Sequence, residues 1–233
     1  MKTLLLGSIG VLAETSAMQW RAYNQALAAH DTGIYWNLAT YCQLLRNPGG
    51  LKRLEAQGLP LDLARQVHQD KQQIFAEMLA AGDITLRPGI AALLQDCRAA
   101  AIDVGIITTT TQPTLDAIMK ALSHSLSRDG FVLTTTRDDV EAVKPAPDIY
   151  LHALKTLSRQ PEDVLVIEDT PANAEAARQA GLGCVLLPGE FATVDTGPDV
   201  GKAALLDISL ERCLAAHQAH LERSAKKALA SVA

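Results

Sequence analysis

Apolar and polar positions alternate along this chain in two distinct rhythms. Five short runs, TLLLG (3–7), DVGIITT (103–109), FVLTTT (131–136), DVLVIED (163–169) and GCVLLP (183–188), are nearly continuous in apolar residues and bounded by Gly, Pro or polar turn signals. Unbroken runs of this length predict parallel strands covered on both faces rather than half-exposed ones. Helical periodicity fills the gaps: GIAALLQDCRAAA precedes the second run, PTLDAIMKALSHS follows it, PDIYLHALKTL precedes the fourth and ANAEAARQAG follows it. Strands alternating with helices predict a doubly wound parallel α/β sheet, whose ligands bind beyond the carboxyl ends of the strands.

Residues 13–83 break that alternation. SAMQWRAYNQALAAH, NLATYCQLLRN, GGLKRLEAQ and DLARQVHQDKQQIFAEMLAAG are all helical in period or propensity, so an all-helical segment is inserted after the first strand. The expected division is a core of residues 1–12 and 84–208, a helical cap of residues 13–83, and one amphipathic helix over 209–233 that frays toward its end. That last helix docks on the core or on a second subunit. His217 and His220 within it lie three apart, and the spacing reads as a solvated pair rather than a metal site.

Composition narrows the function. A net charge of −5 without a dense Lys/Arg run excludes a nucleic-acid-binding surface. The apolar run at 3–6 is too short for a signal peptide or a membrane span, so a cytoplasmic protein with no membrane partner is expected. Cys42, Cys97, Cys184 and Cys213 have neither CxxC nor metal spacing and read as reduced packing thiols.

The strand ends carry the chemistry. Thr108, Thr109, Thr110 and Thr111 follow the second strand, and Gln112-Pro113 opens the next helix. Hydroxyls beside free helix N–H groups cradle a phosphate, although the same residues serve as plain N-caps. Lys144 is braced by Pro145 in VEAVKPAPDIY. Glu168 and Asp169 end the buried fourth strand and are hard oxygen donors of the kind Mg2+ takes, or else an acidic helix start.

A hydroxyl, a lysine and an acid pair in that order on successive strand ends make the chain resemble the haloacid dehalogenase superfamily. Within it, the likeness is to the helical-capped phosphatases and mutases of the beta-phosphoglucomutase and CbbY type. It runs from Thr3 to about Pro188 and is carried by GVLAET, ITLRPGI, IITTTTQP, KPAPDIYLHAL and IEDTPANAEAARQAGL. The resemblance implies a Rossmann-like three-layer core with an inserted helical cap. It also implies a phosphate held by Thr108, Thr109 and Lys144, Mg2+ held by Glu168 and Asp169, and a phosphorylated small molecule as ligand.

The superfamily's first motif has the form D-x-D-G-[TV]-L, its first Asp the nucleophile and its second the general acid and base. Here Gly10-Val11-Leu12 match its end, while Gly7 and Ile9 stand at the two aspartate positions. Ser8 lies between them, and strand alternation turns it away from the side they occupy. Glu14, in the linker to the cap where similar proteins carry an acid, is expected on the cap side of the site with Gln19, Gly49, Gly50 and Arg53. In the cap, Gln19 and Trp20 stand where a histidine and an arginine are expected, whereas Gly49, Gly50 and Arg53 match a specificity loop suited to a phosphorylated sugar.

Electrostatics follow from the same positions. Four carboxylates and a lysine would leave about −3 and require a divalent cation, whereas Lys144 against Glu168 and Asp169 leaves about −1. The site can then persist without metal, held by a salt bridge, with weakened Mg2+ affinity. Three readings follow: a catalytically silent protein that binds a phosphorylated metabolite or a protein partner, a low-activity Mg2+-dependent sugar-phosphate phosphatase using direct water attack, or a scaffold that dimerises through its C-terminal helix.

Overall fold

The structure, a computed structural model, describes residues 1–46, 49–82, 84–191 and 208–230. Five parallel strands, β1 (Thr3–Leu6), β2 (Asp103–Ile106), β3 (Leu133–Thr134), β4 (Val164–Glu168) and β5 (Gly183–Leu186), form one sheet in the order β3-β2-β1-β4-β5. The chain winds outward from β1 through β2 to β3, then crosses back to build β4 and β5 on the other side. The strand order therefore reverses at β1, which places a crevice at its carboxyl end.

The continuous apolar runs have a period of two once the two faces are separated. Leu4, Leu6, Val104, Ile106, Leu165 and Ile167 belong to one core. It also contains residues of α5 (Ile90–Ala99), α6 (Gln112–Ala121) and α9 (Leu210–Ala230). Leu5, Val164 and Val166 face the opposite core, with α7 (Asp148–Thr156) and α8 (Pro171–Gln179). Burying each such side chain contributes about 1.5–3 kcal/mol, and cover on both faces is why no polar residue interrupts the runs. No described helix is long and apolar enough to cross a membrane.

The inserted segment folds into α1 (Ser16–Ala29), α2 (Leu38–Leu44), α3 (Gly50–Ala56) and α4 (Leu61–Ala81). These have their own small core around Tyr23, Trp36, Tyr41, Leu54 and Val67. Helix α4 also packs on α6, so the inserted helices stand over the strand ends.

Two expectations are corrected here. The run 131–136 contributes only Leu133–Thr134 to the sheet. Thr136 caps a short 3-10 turn at Arg137–Asp139, its backbone N–H donating to Asp139 Oδ2 at 2.7 Å, so hydroxyls that could extend the strand end it instead. His217 and His220 are not a solvated pair. His217 is 3% exposed, and the His220 ring sits against Gly183 with Nε2 3.1 Å from the Gly181 carbonyl, because α9 docks on β5 of its own chain. Residues 231–233 of the tail lie outside the described residues.

Candidate functional site

Strand parity decides what the ends of β1, β2 and β4 present. Leu6 pairs with Ile106 and with Ile167, so the next step sets Gly7 beside Ile107 and Glu168, and the step after that sets Ser8 beside Thr108. Gly7 and Glu168 thus share a face: a β-carbon on Gly7 would lie 2.9 Å from Glu168 Oε2 and 3.0 Å from Val11 Cγ2. Ser8 points the other way, as alternation predicts, yet that direction is not out of the site. Its Oγ donates to Thr108 Oγ1 at 3.0 Å in a buried contact.

The acid pair is unequal. Glu168 is 1% exposed and salt-bridged to Lys144 Nζ, and its Oε1 also accepts from Tyr150 Oη at 2.8 Å. Its Oε2 accepts from Asn173 Nδ2 at 3.2 Å. Lys144 also donates to the Ile107 carbonyl at 3.0 Å. Asp169 is held more loosely, with a long contact from Asn173 Nδ2 at 3.4 Å, and burial, followed by the Glu168 charge, raises its carboxyl to about 7. Tyr150 is pushed far up by burial and by Glu168, so its phenol stays a donor.

As placed, Glu168 is not free to ligate Mg2+. Both Glu168 oxygens are committed to protein donors, one of them a cation, and no group of three or more His, Cys, Asp or Glu side chains placed to hold a metal occurs among the described residues. A hard divalent ion would have to displace Lys144 or Asn173 before gaining the Glu168 carboxylate, which leaves Asp169 as the more available acid.

Above the strand ends lies a cleft of about 780 Å3, lined from below by Gly7, Ser8, Ile9, Thr108, Thr109, Lys144, Glu168 and Asp169. From above come Gln19 of α1, Gly49, Gly50 and Arg53 around α3, and His68 and Lys71 of α4. Arg53 lies over the Tyr23 and Tyr41 rings at 5.7 and 5.9 Å and donates from Nε to the Leu44 carbonyl at 3.1 Å. Gln19 accepts from Lys71 Nζ, while Trp20 turns aside, its Nε1 donating to the Trp36 carbonyl at 2.6 Å. Burial and the charges of Lys71, Arg137 and Arg53 lower His68 to about 4, so its ring is neutral. Burial and Arg53 lower Lys71 to about 7.

Glu14 is not brought into the cleft. Its two oxygens accept from the backbone N–H groups of Ser16 and Glu190, each at 2.7 Å, so it ties the linker to the loop after β5 and is no substitute nucleophile. His68, Lys71, Arg137 and Tyr150 escape the sequence reading, since each reads singly as a surface charge or a core aromatic. The signal that could find the first two is their i, i+3 spacing on one helix face, opposite Gln19 and Tyr23 at i, i+4 on α1.

Gly50 fits because nothing larger does: a β-carbon there would meet Tyr23 Oη and stand 2.6 Å from His68 Nε2. Gly50→Ala should destabilise the protein by about 1–3 kcal/mol in urea denaturation, against the roughly 1 kcal/mol that alanine otherwise gains in a helix. A stabilised variant would show that this contact is loose.

A family profile described as haloacid dehalogenase-like hydrolase matches residues 3–181, a span that holds all of these core-side residues. The chain belongs to the haloacid dehalogenase-like hydrolases. Among relatives of this family, the protein CbbY of Rhodobacter capsulatus is 36% identical over 201 residues, 84% of this chain and 88% of that protein. CbbY of Cereibacter sphaeroides is 33% identical over 225 residues, 89% and 97% of the two chains. The crystal structure of CbbY from Rhodobacter sphaeroides in complex with phosphate superposes with a TM-score of 0.75 at 32% identity, covering 86% of this chain and 92% of that one. A variant of that protein in complex with xylulose-(1,5)-bisphosphate gives 0.73 at 31% identity, with 89% and 100% covered. This haloacid dehalogenase-like chain is thus of the CbbY-like subgroup.

Proposed function

We propose that this chain binds a phosphorylated small molecule of the sugar-phosphate class in its cleft without hydrolysing it. The observation that carries the reading is the place of Glu168: bonded to Lys144, Tyr150 and Asn173, its carboxylate fills the space into which a side chain at position 7 would project. In this family the residue at that position attacks phosphorus. Glycine cannot attack, and Ile9 cannot pass a proton to a leaving group. Losses of this kind cost on the order of 10^4 to 10^6 in rate. Ser8 offers no replacement, since its hydroxyl is bonded to another hydroxyl and not to a base.

The cleft suits an anion even so. Thr108 and Lys144 stand below, and Arg53 above. Arg137 also lines it, from the turn after β3. Relatives crystallised with phosphate and with a sugar bisphosphate support the same ligand class. Bound Mg2+ would neutralise phosphate charge, but with Glu168 held by Lys144 the affinity for it is weakened.

Isothermal titration calorimetry and a phosphate-release assay over a panel of sugar phosphates, xylulose 1,5-bisphosphate included, test the reading together. Binding that weakens with salt, no release above background, and no micromolar Mg2+ binding without ligand are expected. Release that Asp169→Asn abolishes would replace this reading with a low-activity Mg2+-dependent phosphatase.

A further inference from the structure

Lys71 carries chemistry that holding a phosphate does not use. It lines the cleft but is only 4% exposed, and its Nζ donates to Gln19 Oε1 and, at 3.2 Å, to Gln72 Oε1. The Tyr23 and Phe75 rings lie 4.8 and 5.0 Å from it. Its bonds go to neutral amides, and no carboxylate forms a salt bridge with it among the described residues. The charge that acts on it is that of Arg53, of the same sign.

A buried ammonium with no counter-ion is costly, and the group sheds its proton instead. Two aromatic faces oppose that loss but do not replace a carboxylate. The amine that remains is a nucleophile near neutral pH, because desolvation beside a second cation is one of the ways a lysine is activated for addition to carbonyls. A neutral ring, His68, lines the same cleft beside Tyr23 Oη, with its Nε2 against Gly50.

We infer that Lys71 captures phosphorylated aldehydes or ketones as a reversible imine, its Nζ adding to the ligand's carbonyl carbon while the phosphate is held elsewhere in the cleft. The inference rests on the phosphate-binding reading above and narrows its ligand to carbonyl-bearing sugar phosphates. In the first step the N–C bond forms, the C=O π pair moves to oxygen, and oxygen gains a proton as nitrogen loses one. In the second the hydroxyl leaves as water, taking a proton, and the nitrogen's remaining hydrogen departs as the C=N bond closes. The sum is amine plus carbonyl giving imine plus water, with no oxidant, reductant or metal. Water reverses it and releases the ligand unchanged.

Pyridoxal 5′-phosphate, a phosphorylated aldehyde, is the probe. The full chain is incubated with it, reduced with borohydride and mapped by peptide mass spectrometry, and binding of inorganic phosphate to the unmodified protein is measured by calorimetry. Occupancy at Lys71 should exceed that at Lys52, an exposed lysine on the same cleft, by about tenfold or more, and should fall by a similar factor with pyridoxal, which lacks the phosphate. Lys71→Arg and Lys71→Met should both remove the adduct at this site, and excess inorganic phosphate should slow its formation. Phosphate binding with labelling no greater at Lys71 than at Lys52 overturns the inference and leaves the binding reading standing. Absence of both phosphate binding and Lys71 labelling overturns the two together. Equal labelling by pyridoxal and its phosphate removes the phosphate-anchored ligand class and overturns the inference as stated.

Discussion

The Gly7→Asp/Ile9→Asp double variant is expected to release phosphate from a sugar phosphate in the presence of Mg2+, at a rate on the order of 10^4 above the parent. The parity of β1 directs a side chain at position 7 toward Glu168, whose Oε2 stands 2.9 Å from the new β-carbon. That oxygen is the far end of a flexible side chain, so it can swing aside. Turning it aside takes it from Asn173 Nδ2, and a swing of the whole carboxylate takes Oε1 from Lys144 as well and frees it for a metal. Two new carboxylates beside Glu168 and Asp169, with one lysine among them, repel one another unless a divalent cation enters.

A second signature follows from this crowding. The metal-free double variant should melt below the parent, and Mg2+ should restore it in proportion to the logarithm of its concentration, whereas the parent's melting temperature should barely respond. A variant that Mg2+ stabilises but that stays silent on the whole panel would show that the cleft has lost more than its nucleophile, with Gln19 and Trp20 the first suspects. Equal turnover by the parent would defeat the proposed function itself.

The Lys144→Met variant is expected to lose about 3–5 kcal/mol of stability, because it leaves Glu168 charged, 1% exposed and without its cation. For a chain of this size that is a fall in melting temperature of roughly 10 °C. The asymmetry between breaking one half of a buried pair and replacing both is the test. Lys144→Met/Glu168→Leu removes both charges together and should recover most of the loss, although Tyr150 Oη and Asn173 Nδ2 then lose an acceptor. Thermal and urea denaturation of the two single variants and the double variant give the coupling energy directly. A coupling under about 1 kcal/mol would mean that water screens the pair, and Glu168 would then be open to metal after all.

Particular residues show what was legible beforehand. The α/β architecture followed from local pattern: runs such as DVLVIED have strand length and no polar interruption, and the intervening segments carry helical periods. Thr108, Glu168 and Asp169 stood out because polar residues ending buried strands face a crevice, and Lys144 because of its place in KPAPDIY, in the loop before α7. The helices over 16–81 were equally plain. Less so was which side of each helix faces the cleft, since Gln19 could be assigned only by register and Lys71 not at all.

Glu14 illustrates the opposite failure. Its place in the linker after β1 suggested a role in the cleft, but two backbone N–H groups claim its oxygens, one of them 176 residues away in sequence. Ser8 failed more subtly: alternation gave its direction correctly, and only the parallel register with β2 shows that Thr108 lies there. His217 was misread because the period shows that α9 has a face to bury but not that Cys213 and His217 lie on it or that it meets β5 of the same chain.

The sequence by itself determined the order and type of the main elements, the polar residues that follow β1, β2 and β4, and the presence of glycine and isoleucine at positions 7 and 9, since these rest on period, turn chemistry and residue identity, which are local. The sequence set Lys144 against the acid pair, but only the tertiary structure decided that Glu168 takes it, together with Tyr150 and Asn173, and that Lys71 has amides and rings for company instead of an acid. Those outcomes depend on which side chains from distant segments share a few ångströms of buried space, where a missing counter-charge or an added one changes the protonation of a group and with it the chemistry the cleft can do.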